Sequence, residues 1–101
     1  MNSSPYIKNV LKDLSKELSN IIKSLSSTNL SPEGDSLIHA IAIWLRRVSF
    51  INEFNYDDTM LNYLDYLIAD AQVLLIDNEK LTAILNQFRF FYTREYAIHF
   101  N

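Results

Sequence analysis

Apolar residues recur at steps of three and four along most of the chain, the spacing that lines one face of a helix. In the first segment they are Ile7, Val10, Leu11, Leu14, Leu18, Ile21, Ile22 and Leu25. Ser4 before Pro5 offers a capping hydroxyl and a proline at the first helical position, so a helix is expected over about residues 5–26. Ser26, Ser27, Thr28 and Asn29 interrupt the pattern, and Ser31 with Pro32 repeats the cap-and-proline start. A second helix is expected over about residues 32–51. Its apolar positions, Leu37, Ile38, Ala40, Ile41, Ile43, Trp44, Leu45 and Val48, cover most of its circumference. Asp35, His39, Ala42, Arg46, Ser49 and Glu53 form the one narrow polar strip. So thin a wet face predicts a central helix packed on several sides.

Asn52 to Asp57 is polar and reads as a turn. A third helix is expected over about residues 57–75, with acidic groups at its start that suit the helix dipole. Its inner side is Met60, Leu61, Leu64, Leu67, Ile68, Ala71, Leu74 and Leu75, and its wet side Asp58, Asn62, Asp65 and Gln72. Asp77 is the expected cap of a fourth helix over about residues 78–93, striped by Leu81, Ile84, Leu85, Phe88, Phe91 and Tyr92. Beyond Thr93, Tyr96, Ile98 and Phe100 alternate with Ala97 and His99, a period of two that predicts a short extended tail. One glycine and two prolines are too little turn chemistry for a β protein. Four amphipathic helices with short connections predict an all-α, antiparallel up-down four-helix bundle with a short C-terminal tail, one domain over residues 1–101.

Composition narrows the chemistry. The absence of cysteine removes disulfide scaffolds, thiol catalysis and most structural zinc sites. A net charge of −3 and a pI near 5.2 argue against a nucleic-acid partner, which normally meets a basic surplus. His39 and His99 lie far apart with no metal-ligand spacing, no serine sits in a nucleophile elbow, and Gly34 alone cannot build a phosphate loop. No cofactor, no metal and no enzymatic activity are expected. Arg46 and Arg47 read as solvent-facing charges that pair with Glu53 or a neighbouring helix, rather than as arginines converging on an acidic metabolite.

The start of the chain shows no signal peptide, and the longest apolar run, Ala40 to Leu45, is far short of the roughly 20 residues of a membrane span. A soluble, cytoplasmic monomer is expected. Lys8, Lys12 and Lys16 form a cationic ridge on the first helix. It reads as a solvated face complementing the acidic third helix; the sharper alternative is a weak attraction for anionic lipid headgroups or an acidic partner.

Six of the thirteen aromatic residues fall between Phe88 and Asn101. Phe88, Phe91 and Tyr92 continue the helical stripe and are assigned to the core. Phe90 projects with Ala83, Asn86 and Arg94, away from that stripe. Tyr96, Ile98 and Phe100 follow, with Arg94, Glu95 and His99 among them. Two readings stay open: the tail folds back onto the bundle, or it presents an aromatic recognition surface of the kind that dominates interface hot spots.

The stretch Ser31 to Asp70, SPEGDSLIHAIAIWLRRVSFINEFNYDDTMLNYLDYLIAD, has a proline-led second helix, an aromatic turn and a tyrosine-bearing third helix. Together with the length, acidity and lack of cysteine, it resembles the immunity proteins of pediocin-like (class IIa) bacteriocins, the enterocin A immunity group most of all. The abundance of Asn, Ile and Lys suits the AT-rich genes of Gram-positive producers. The resemblance implies a non-catalytic four-helix bundle that stays inside the producing cell. There it protects against a pore-forming peptide by binding the bacteriocin-occupied mannose phosphotransferase permease. It also implies that the carboxy-terminal half selects the bacteriocin, a role that falls here on Phe90, Arg94, Tyr96, Ile98, His99 and Phe100. The alternative is an antitoxin or regulatory adaptor that docks a soluble protein through its aromatic C-terminus.

Overall fold

The computed structural model describes residues 5–48, 58–75 and 77–100. They form α1 (Pro5–Ser26), α2 (Pro32–Val48), α3 (Asp58–Leu74) and α4 (Glu79–Phe100). Among the described residues there is no strand. The chain is an all-α, up-down four-helix bundle measuring 45 × 21 × 20 Å.

Local chemistry sets most of the boundaries. Ser31 caps α2: its Oγ accepts the Gly34 N–H at 3.1 Å, and its carbonyl accepts the Asp35 N–H at 2.9 Å. Pro32 then occupies the first helical position, where no N–H is needed. At the end of α1 the serine-rich run is a C-terminal cap rather than a loose linker. The hydroxyls of Ser26, Ser27 and Thr28 donate to the carbonyls of Ile22, Ser24 and Leu25, which have lost their helical partners or share them. The cap of α4 falls one residue later than expected. Thr82 N–H reaches the carbonyl of Asn78, so Asn78 rather than Asp77 holds the cap position. Ser4, the turn over residues 52–57 and the expected extension of α2 to residue 51 lie outside the described residues.

Each helix packs on its two neighbours around a square, in the order α1, α2, α3, α4 and back to α1. This corrects two expectations. First, α2 is not central: its backbone adjoins α1 and α3, it meets α4 across the diagonal through Trp44, and Ile43 and Arg47 on its apolar-rich side face outward. Second, α1 and α3 are diagonal, so the lysine ridge of α1 does not face the acids of α3. Lys16 and Lys23 instead line a cleft with Arg46 of α2.

The core follows the helical stripes. Leu11, Leu14 and Leu18 of α1 meet Ile38, Ile41 and Val48 of α2, Leu64, Leu67 and Ala71 of α3, and Leu81, Leu85 and Phe88 of α4. Burial of this kind contributes about 1.5–3 kcal/mol for each large apolar side chain. The diagonal between α2 and α4 is bridged by rings. Trp44 meets Phe88 edge-on at 5.3 Å and Tyr92 at 6.0 Å, all three fully buried. Phe91, assigned to the core with them, is only partly buried at its margin.

The extended tail is also corrected. Past Thr93 the backbone remains helical to Phe100. No proline or glycine follows Glu79, and the buried positions Leu85, Phe88, Tyr92 and Glu95 keep steps of three and four into that stretch. Thr93 Oγ1 donates to the Arg89 carbonyl at 2.7 Å within the same ladder. A period of two among Tyr96, Ile98 and Phe100 carries no strand partner, so continuing the helix satisfies the backbone where an isolated extended end would not.

Candidate partner-binding surface

On α4, helical geometry sends Phe90 away from the core stripe, and 54% of its surface is exposed. Its ring stands edge-on to Phe91, with centroids 5.1 Å apart. Arg94, one turn on, places its guanidinium 5.7 Å from the Phe90 ring centroid, within cation–π range. Phe90 and Arg94 therefore form one preorganised patch, with an apolar ring and a cation held together on a rigid helix. Of the six residues expected to bind a partner, the structure brings these two together. The backbone of Tyr96, Ile98, His99 and Phe100 extends the same helix, and their side chains lie outside the described residues.

Beside the patch, Arg89 ties α4 to α3. Its Nε–H donates to Asp65 Oδ1, and Nη2 lies 3.4 Å from Oδ2 of the same carboxylate. The hydrogen bond to Asp65 raises the already high pKa of the guanidinium, against the smaller opposing effect of burial. Both side chains are about half exposed, so the pair orients the edge of α4 more than it stabilises it. Glu95, on the opposite stripe with Tyr92, is fully buried and is the only charged side chain so placed among the described residues. Sequence reasoning put it in the tail.

A second surface was missed. Between α2 and α3 lies an open groove of about 570 Å3. Trp44 and Met60 line its inner part, Ile43 and Tyr63 its flanks, and Tyr66 and Arg47 its rim. The exposed apolar character continues along α3 to Val73, which is 74% exposed, and Leu74, which the sequence pattern had turned inward. One signal was present. Tyr63, Tyr66 and Val73 belong neither to the inner stripe of α3 nor to its polar side, so that helix is apolar on more than the face the bundle covers.

His39 is exposed, with Nδ1 2.9 Å from the Asp35 carbonyl and 3.7 Å from its carboxylate, a local contact on the surface of α2. No group of three or more potential metal ligands occurs among the described residues, and no helix there is long and apolar enough to cross a membrane. Comparison of the chain with protein-family models, with curated proteins and with solved structures returns no match.

Proposed function

We propose that the chain is a non-enzymatic binding module that gives its cell immunity to a pore-forming peptide of the pediocin-like kind. The module acts from the cytosolic side on the bacteriocin-occupied permease. The observation that carries the binding role is the Phe90–Arg94 patch: a half-exposed ring and a guanidinium stacked on it, with no part in closing the core. Aromatic and arginine side chains supply most of the energy at protein interfaces, and a patch preorganised on a helix loses little entropy on docking. The choice of immunity over other binding roles rests on the resemblance of Ser31 to Asp70.

The test is expression of the chain in a strain sensitive to pediocin-like peptides. Resistance to at least one peptide of a panel is expected, and replacing Phe90 and Arg94 together with alanine is expected to remove it while the helical circular-dichroism spectrum persists. Unchanged sensitivity to every peptide overturns the immunity reading. Stable co-purification with a soluble protein would then favour the adaptor reading.

A further inference from the structure

The outer face of α2 and α3 carries a protruding ring next to a groove wide enough to admit such a ring. The ring is Tyr66, 71% exposed at the groove's rim. The groove beside it is floored by Trp44 and Met60 and flanked by Ile43 and Tyr63. The two ends of this face carry opposite charge. Arg47, one turn beyond Ile43, is the only charged residue lining the groove among the described residues. Asp70, one turn beyond Tyr66, is exposed at the far end. Trp44 is level with the first turn of α3 because its indole N–H bonds the Met60 carbonyl at 2.8 Å. Arg47 lies three residues beyond Trp44 towards the end of α2, and Asp70 lies ten residues beyond Met60 on α3, so the two charges stand about 20 Å apart along the bundle. Among the described residues neither Arg47 nor Asp70 makes an ion pair.

An isologous interface requires one patch to match itself under a two-fold rotation. This face does so when the axis crosses it between Tyr63 and Tyr66. Arg47 of each copy then meets Asp70 of the other, and each Tyr66 ring enters the groove of the opposite copy. A partner of different sequence would need neither the opposite charges at the two ends nor the exposed ring beside an apolar groove. We propose that the α2–α3 face joins two copies of this chain in a symmetric dimer, with Tyr66 as the central anchor and Arg47–Asp70 pairs closing both ends. The dimer departs from the monomer expected from sequence, and it does not depend on the immunity reading, since the Phe90–Arg94 patch lies on α4.

Sedimentation of the full chain from micromolar to millimolar concentration tests it. A monomer–dimer equilibrium that weakens as salt is raised is expected. Tyr66→Ala, Arg47→Glu and Asp70→Lys each weaken dimerisation about tenfold or more, and combining Arg47→Glu with Asp70→Lys restores it. Arg46→Glu, on the α1 side of α2, leaves the equilibrium unchanged. All these side chains are exposed, so the variants keep the monomer fold, checked by circular dichroism. A monomer at every concentration overturns the proposal, and so does a dimer indifferent to Arg47→Glu or one that the double exchange fails to restore.

Discussion

The indole N–H of Trp44 donates to the backbone carbonyl of Met60 at 2.8 Å, tying α2 to the first turn of α3 across the connection between them. The same ring packs on Phe88 and Tyr92 of the opposite helix, so one side chain links three of the four helices. Replacing it with phenylalanine removes the donor and leaves part of the ring's volume empty. Trp44→Phe is expected to cost about 2 kcal/mol in urea unfolding. A loss below half of that would mean that the core re-packs around the smaller ring.

Gly34 sits in the first turn of α2, where an added methyl group would lie 3.2 Å from Ser31 Oγ, the cap acceptor, and 3.4 Å from Leu75 Cδ2. Alanine gains helix propensity of about 0.5–1 kcal/mol but displaces the cap. Ser31→Ala alone is expected to cost about 1 kcal/mol. The two effects at Gly34 nearly cancel in the native chain. In the Ser31→Ala background, Gly34→Ala becomes clearly stabilising. Additive thermal shifts for the pair would refute this coupling.

Neighbouring phenylalanines on α4 differ in what they do for stability. Phe88 is fully buried against Trp44, and Phe88→Ala is expected to destabilise by about 3–4 kcal/mol. Phe90 is half exposed, and Phe90→Ala is expected to change stability by less than about 0.5 kcal/mol. Denaturant titrations of the two variants measure the contrast. A large loss at Phe90 would make it a core residue and remove it from the candidate patch.

The Arg89–Asp65 pair is open to solvent, so a double-mutant cycle with Arg89→Met and Asp65→Asn is expected to return a coupling of about 0.5 kcal/mol that fades as salt is raised. Its pH dependence has a definite sign. The folded pKa of Arg89 is raised, so its contribution is fully present below the unfolded value and is lost only as pH climbs through the folded one. The guanidinium therefore adds no slope to stability through the neutral range. A steep neutral-pH dependence that disappears in Arg89→Met would contradict this.

How far the sequence reaches is clearest helix by helix. For α1, the eight-residue apolar stripe foretells the element, its span and the burial of Leu11, Leu14 and Leu18. For α2 the span begins where Ser31 and Pro32 place it, but the side taken as buried included Ile43, which is 48% exposed. That error comes from counting apolar residues without knowing how many neighbours the helix has. For α4 the alternation after Thr93 suggested a tail, and the helix runs on, because a short period-two pattern at a chain end has nothing to pair with. The Phe90–Arg94 part of the candidate surface was legible as an exposed pair because both residues leave one helical stripe together. The groove was not, since its walls come from two helices and no periodicity within either one reports how they meet.

The chain by itself therefore determines its helices, their caps at Ser31 and at the end of α1, and the leucine-rich stripes that form a core. These are local consequences of hydrogen-bonding side chains and a 3.6-residue period. Only the tertiary structure decides which apolar faces are covered. Trp44 is buried because Phe88 and Tyr92 reach it across the diagonal, while Tyr66 and Val73 are exposed because the square packing leaves α3 just two neighbours. Burial depends on what stands opposite a side chain, and that is a property of the assembled bundle rather than of any one segment.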